Sequence, residues 1–127
     1  MKILILLFSF ILLLQSCNSI FNPDNVKDFI PGVYCTAWTT AFSQSRDTLL
    51  IETITQQGSE GYIITRRTHV DFINAAKKRE PEYSIVKWRG TYDASNKTVL
   101  INNNGRVLSF DTNKKEMKMG VAVYKKL

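Results

Sequence analysis

His69 is the single histidine of the chain, so any Ser-His-Asp or Cys-His arrangement has to use it as the base. Asp71 follows two residues later, and on a strand side chains two apart point to the same face. That pair can orient an imidazole, but no sharp nucleophile turn accompanies it, and His69 reads as an ordinary strand residue. Glu80 and Glu82 flank Pro81. Paired carboxylates cleave glycosides when they are held several ångströms apart across a substrate; these two read instead as a solvated loop tip. Asp24, Asp47, Asp93 and Asp111 are too scattered for a calcium loop. One histidine and one spare cysteine do not complete a zinc set. The six glycines are dispersed at turns rather than gathered into a phosphate loop. The expectation is a protein that is not an enzyme and needs neither cofactor nor metal.

Residue types suited to binding are better represented. Arg66 and Arg67 are adjacent on a β-favouring run, so they face opposite ways and one of them points inward or is paired. An inward arginine suits an anion site or a structural ion pair; the sequence does not say which arginine it is. Trp88 and Tyr92 share a face around Gly90, a spacing that marks a bulge or a ring packed over the backbone. Such a face can line a ligand cavity in a barrel, or it can simply fill the core. Arg66, Arg67, Trp88 and Tyr92 are therefore the candidate binding residues.

The elements that must position them are strands. Gly32–Trp38 alternates Val33, Cys35 and Ala37 against Tyr34, Thr36 and Trp38. Residues 48–55, 62–73, 83–93, 99–102, 106–110 and 117–125 are further β-favouring runs, the last with a bend expected at Gly120. Residues 41–46 read as loop. Asn103-Asn104-Gly105 is a strong hairpin signal, because an Asn-Gly turn suits two central positions of positive φ. Residues 71–80 form a short helical turn or a hairpin tip, ended by Pro81. Seven or so strands joined by short connections imply antiparallel pairing. The expected fold is all-β, a small antiparallel meander closed into a lipocalin-like barrel or half-barrel, with a β-sandwich as the alternative. Leu49-Leu50-Ile51 and Val99-Leu100-Ile101 are apolar on both faces, which implies two-sided burial or an outer patch that meets a partner.

The N-terminus fixes address rather than chemistry. Met1-Lys2 precedes a run from Ile3 to Leu14 that is apolar apart from Ser9, the outline of a secretory signal peptide. It is shorter than the ~20 residues a membrane-spanning helix needs. The run ends in Leu14-Gln15-Ser16-Cys17, which resembles the lipobox of bacterial lipoproteins, although Gln15 departs from the small or aliphatic residue common there. The resemblance implies that residues 1–16 are removed and that Cys17 carries the lipid. Asn18 and Ser19 then imply outer-membrane sorting, with the domain facing the periplasm. Residues 17–30 are the expected tether, with Phe29 and Ile30 docked on a single β-domain over 31–127. Loss of Lys2 leaves sixteen cations against eleven anions. This modest excess reads as a solubilising surface rather than a nucleic-acid site. With Cys17 lipidated, Cys35 is a lone thiol, and its place on an alternating strand suits a small buried hydrophobe.

Beyond the signal, Pro31-Gly32-Val33-Tyr34, Asp47-Thr48-Leu49-Leu50-Ile51, Tyr62-Ile63-Ile64-Thr65-Arg66-Arg67, Gly90-Thr91-Tyr92-Asp93, Ser109-Phe110-Asp111 and Tyr124-Lys125-Lys126-Leu127 resemble small β-rich bacterial lipoproteins. The resemblance implies an accessory envelope component, of the kind associated with conjugation or secretion machinery, and brings no active site. The Tyr34-Cys35 start is also similar to periplasmic lysozyme inhibitors, which use a disulfide that this chain cannot form there. The functional expectation is a membrane-anchored protein that binds another envelope component. A small-ligand barrel and an inhibitor of a cell-wall hydrolase are the alternatives.

Overall fold

A computed structural model describes residues 24–56, 59–74 and 77–127. The expected signal peptide over residues 1–16, Cys17 and the first part of the expected tether lie outside the described residues. Eight strands follow a short helix α1 (Asn25–Phe29): β1 (Gly32–Thr39), β2 (Ser43–Gln56), β3 (Ser59–Phe72), β4 (Glu82–Asp93), β5 (Thr98–Ile101), β6 (Val107–Asp111), β7 (Glu116–Met119) and β8 (Ala122–Lys126). Each pairs antiparallel with the next, and β8 returns to β1 through Tyr34↔Lys126 and Cys35↔Lys125. The sheet is a closed barrel, so neither the half-barrel nor the sandwich is the architecture.

Alternation along the strands decides what lies inside. Leu49 and Ile51 of β2, Tyr62 and Ile64 of β3, Val99 and Ile101 of β5, Leu108 of β6, Met117 of β7 and Tyr124 of β8 are buried together. Each such apolar side chain contributes about 1.5–3 kcal/mol when removed from water. Gly90 is part of this inner layer because nothing larger fits. A Cβ there would stand 2.6 Å from Val99 Cγ1 and 2.9 Å from Ile64 Cδ1. Tyr62 lies directly across from it in the register. Leu50 is half-buried and Leu100 exposed on the outer face, so the doubly apolar runs are not fully buried on both sides.

One end of the barrel is closed by α1. Asp24 caps the helix, its carboxylate accepting from the N–H groups of Val26 and Lys27 at 3.1 and 3.2 Å, as an N-cap should. Tyr92 also donates its hydroxyl to Asp24. At the other end of the helix, Tyr34 donates to the carbonyls of Phe29 and Ile30 at 3.0 and 2.9 Å, and Lys126 donates to Phe29 O. A cation at the last carbonyls of a helix is favourable. The Lys126 ammonium lies 4.2 Å from the Phe29 ring centroid, and burial lowers its pKa. Phe29, Tyr34 and Phe110 meet edge to face with centroids 6.1–6.4 Å apart. Ile30 is fully buried. Phe29 and Ile30 therefore dock as expected, but residues 24–30 are a capped plug and not extended tether.

Other departures have local causes. Residues 43–46 extend β2 because all four pair with β3 and residues 44–46 pair with β1 as well. The last run is two strands, split at Gly120, whose φ of +61° permits a tight turn. Between β5 and β6 only Gly105 (φ +68°) has positive φ, not Asn104. Asn104 instead accepts the N–H of Arg106 at 2.9 Å through its side chain. Cys35 is only partly buried, with Sγ 3.7 Å from Thr48 Oγ1; it faces outward, opposite to Tyr34.

Candidate functional site

Strand lengths make the two ends of the barrel unequal. Strands β2, β3 and β4 run 14, 14 and 12 residues, whereas β5 to β8 run four or five. The long strands stand above the short ones as a wall on one side of the open end. A cleft of about 700 Å³ lies there, with Trp38, Val107, Val121 and Ala122 as apolar lining and Arg66, Arg106 and Tyr124 as polar lining.

The floor of this cleft is a polar cluster built on Asp47. Asp47 lies on the inward face of β2, in phase with Leu49 and Ile51, and is 0% exposed. Arg66 donates to Asp47 Oδ2 from Nε at 2.8 Å and from Nη2 at 2.7 Å. Tyr124 donates its hydroxyl to the same oxygen at 2.7 Å. Thr68 donates to Oδ1 at 2.8 Å. A buried carboxylate is tolerable only when its lone pairs are occupied in this way. The register produces the arrangement: Asp47 faces Thr68 across β2 and β3, and Arg66 stands two positions along. Burial and the Asp47 carboxylate together push the Tyr124 hydroxyl pKa well above its ordinary value.

Asp47 uses only part of Arg66. The guanidinium remains a quarter exposed toward the cleft, with its carbon 5.9 Å from the Trp88 ring centroid. Arg106 approaches the same ring at 5.6 Å. Trp88 thus sits within cation–π range of two guanidinium groups. Arg66 is neutralised by Asp47, while Arg106 has no carboxylate partner among the described residues. The local balance is positive, and the site can attract a carboxylate or another anion next to apolar surface.

Of the four candidate binding residues, Arg66 and Trp88 come together here. Tyr92 shares the inner face with Trp88 but lies at the plugged end, on Asp24. Arg67 is exposed on the outer wall. Between Trp88 and Tyr92 the interior is filled by Gly90, Val99 and Ile64, packed against one another. Sequence reasoning missed Asp47, Arg106, Tyr124 and Trp38 as members. Asp47 did carry a signal: it is a carboxylate in phase with two buried aliphatic residues.

A second arrangement lies on the outer face of the wall. His69 Nε2 meets Asp71 at 2.8 Å, Arg46 Nη2 lies 3.4 Å from His69 Nδ1, and the Tyr83 ring centroid is 4.4 Å away. The expected His69–Asp71 pair is present. Both imidazole nitrogens are engaged, so neither faces outward as a base. Among the described residues no group of three His, Cys, Asp or Glu side chains could hold a metal ion.

Comparison with protein-family profiles, with curated proteins and with solved structures gave no match for this chain.

Proposed function

We propose that this is a lipid-anchored, non-enzymatic protein of the bacterial envelope whose open barrel end docks on another envelope protein. It would be anchored through Cys17 to the outer membrane, on the periplasmic side, as an accessory part of an assembly such as a conjugation or secretion apparatus. The observation that carries the reading is the composition of the open rim. Trp38, Val107 and Val121 line the arginine-bearing cleft and Val86 stands opposite Arg66 in the register; all four are exposed, Val121 fully so. Aromatic and aliphatic residues enclosing arginines are the makings of an interface centre. The opposite end is occupied by the chain's own helix. The test is photo-cross-linking of the full-length protein in its own membranes. A photoreactive residue at Val121 should give one repeatable adduct, whereas one at Lys114, beside the plugged end, should give none. Equal or absent capture at both positions removes the reading.

The cleft itself supports a second reading, a small organic anion seated between Arg66 and Arg106. Titration with short-chain carboxylates should then change Trp fluorescence in the wild type and not in Arg106→Ala. The filled interior below confines any such ligand to the mouth.

A further inference from the structure

The wall above the short strands ends in an open strand edge. β4 pairs with β3 from Glu82 to Thr91, but β5 covers it only from Gly90 to Asp93. The carbonyl of Arg89 accepts the N–H of Asn102 across the β5 side at 2.9 Å. Backbone groups on a strand alternate in direction, so those of Lys87, Ile85 and Tyr83 also point to that side. No strand lies beside them among the described residues. Seven residues, Glu82–Trp88, rise beyond that last hydrogen bond, about 23 Å of edge.

Proteins blunt such edges because they recruit other strands. Pro81 and Lys87 do so only in part. Tyr83 and Ile85 are 71% and 65% exposed on the outer face, and Val86 is 42% exposed on the inner one. β1 also outruns β8, but its free portion is shorter, Thr36–Thr39, and carries no charge. The β4 edge is longer, more apolar and cationic. Lys87, Arg89 and Arg106 lack carboxylate partners among the described residues, and Glu82 is already paired with Arg79 at 2.8 Å.

We infer that the edge of β4 from Tyr83 to Lys87 accepts an extended, acidic segment of the partner as an added strand. Backbone hydrogen bonds to Tyr83, Ile85 and Lys87 would supply affinity, and alternate side chains would supply specificity. Carboxylates on one face of the segment meet Lys87 and Arg89; those on the other reach Arg106 over the cleft. A second copy of this chain would bring Lys87 and Arg89 against their own kind, and the chain without residues 1–16 keeps sixteen cations against eleven anions. Charge therefore selects an acidic partner. The inference rests on the reading that the open end is the docking face.

The test uses the full-length protein in its membranes, with photoreactive residues at Ile85 and, separately, at Val121. The same partner should be captured at both, and the cross-linked peptide should carry net negative charge. Lys87→Pro removes an N–H that only the added strand uses, and proline is tolerated at an edge. It should lower capture at both positions at least tenfold while the thermal transition persists. If that variant does not fold, the Lys87→Glu/Arg89→Glu pair tests the charge requirement with the backbone intact. Capture at Val121 that neither variant alters keeps the docking face and overturns strand addition. A basic cross-linked segment, or a self-adduct at Ile85, overturns the acidic partner. No adduct at Val121 in the wild type removes the underlying reading instead. In the free protein, the amides of Tyr83, Ile85 and Lys87 should exchange quickly, and those of Ser84 and Val86 slowly; uniform protection along the strand contradicts the open edge.

Discussion

Replacing Asp47 with Ala should be among the most damaging single changes in the barrel. The carboxylate is fully buried and receives four donor contacts, from Arg66 twice, Thr68 and Tyr124. Its removal strands the hydroxyl of Tyr124, a residue only 1% exposed; an unsatisfied buried group of that kind costs about 1–3 kcal/mol. It also leaves the Arg66 cation without its partner. Breaking a buried pair costs about 3–5 kcal/mol, but Arg66 is a quarter exposed and water from the cleft offsets part of that. A total of ~4 kcal/mol follows, a large share of the ~5–15 kcal/mol that holds a domain of this size folded. At ~4–8 °C per kcal/mol, the melting temperature should fall by ~20 °C. The assay is urea and thermal unfolding followed by circular dichroism, with Tyr124→Phe and the double variant completing a cycle. The double variant should be less damaged than the sum, by about 1 kcal/mol or more, because Tyr124→Phe removes the stranded hydroxyl. The combination Asp47→Leu/Arg66→Met/Tyr124→Phe should recover much of the loss, since apolar replacement of a whole buried ion cluster is often neutral. A loss below about 1 kcal/mol in Asp47→Ala would falsify the claim that this cluster organises the open end.

Gly90→Ala places a methyl group 2.6 Å from Val99 Cγ1 and should cost about 1–3 kcal/mol by overpacking; pairing it with Val99→Ala should restore part of that in the same unfolding assay. Hydrogen bonds from the Tyr92 hydroxyl and from the N–H groups of Lys27 and Val26 hold the Asp24 carboxyl below its ordinary pKa. Its contribution is therefore complete above the unfolded value of ~3.9 and is lost as pH falls through the lower folded value. Acid should release α1 before the barrel unfolds, visible as changed Val26 and Lys27 amide signals, and Asp24→Asn should abolish that transition; identical acid profiles in the two proteins would count against it. Cys17→Ala should release the domain from membranes or leave an uncleaved precursor, and lipid labelling of that variant would refute the assignment. Stable anchoring needs more than one acyl chain, at about 0.8 kcal/mol per buried methylene.

The barrel was legible because its signals are local. Period-two alternation in Gly32–Trp38 and the turn residues at Asn103–Gly105 and Gly120 read directly as strands and hairpins, and short connections left antiparallel order as the consistent topology. Closure was less legible, because it depends on Tyr34 and Cys35 meeting Lys126 and Lys125, a pairing ninety residues apart that no local pattern encodes. The plug was missed for a similar reason. Five residues of Asn-Val-Lys-Asp-Phe are too short to show a helical period, and they hold together through the Asp24 cap and the distant Tyr92, Tyr34 and Lys126 side chains. A helix of that length is not stable alone.

The same distinction governs the candidate site and gives it its shape. Parity alone established that Arg66 and Arg67 diverge and that Trp88 and Tyr92 share a face. It could not separate Trp88 from Tyr92 along the barrel axis, because that requires knowing that Gly90 closes the core between them. It also could not join Asp47, Arg66, Arg106 and Tyr124, which come from four different strands or turns. Their meeting follows from the mismatch in strand length. Hairpin turns at Asn104-Gly105 and at Gly120, each with a glycine of positive φ, end β5 to β8 after four or five residues on the open side. No comparable turn interrupts β2 to β4. Short strands cannot cover long neighbours, so the upper parts of β1 and β4 lose their partners at the level where Asp47 and Arg66 sit. The turn chemistry of the second half of the chain thus exposes the strand edge and the arginine-lined cleft together.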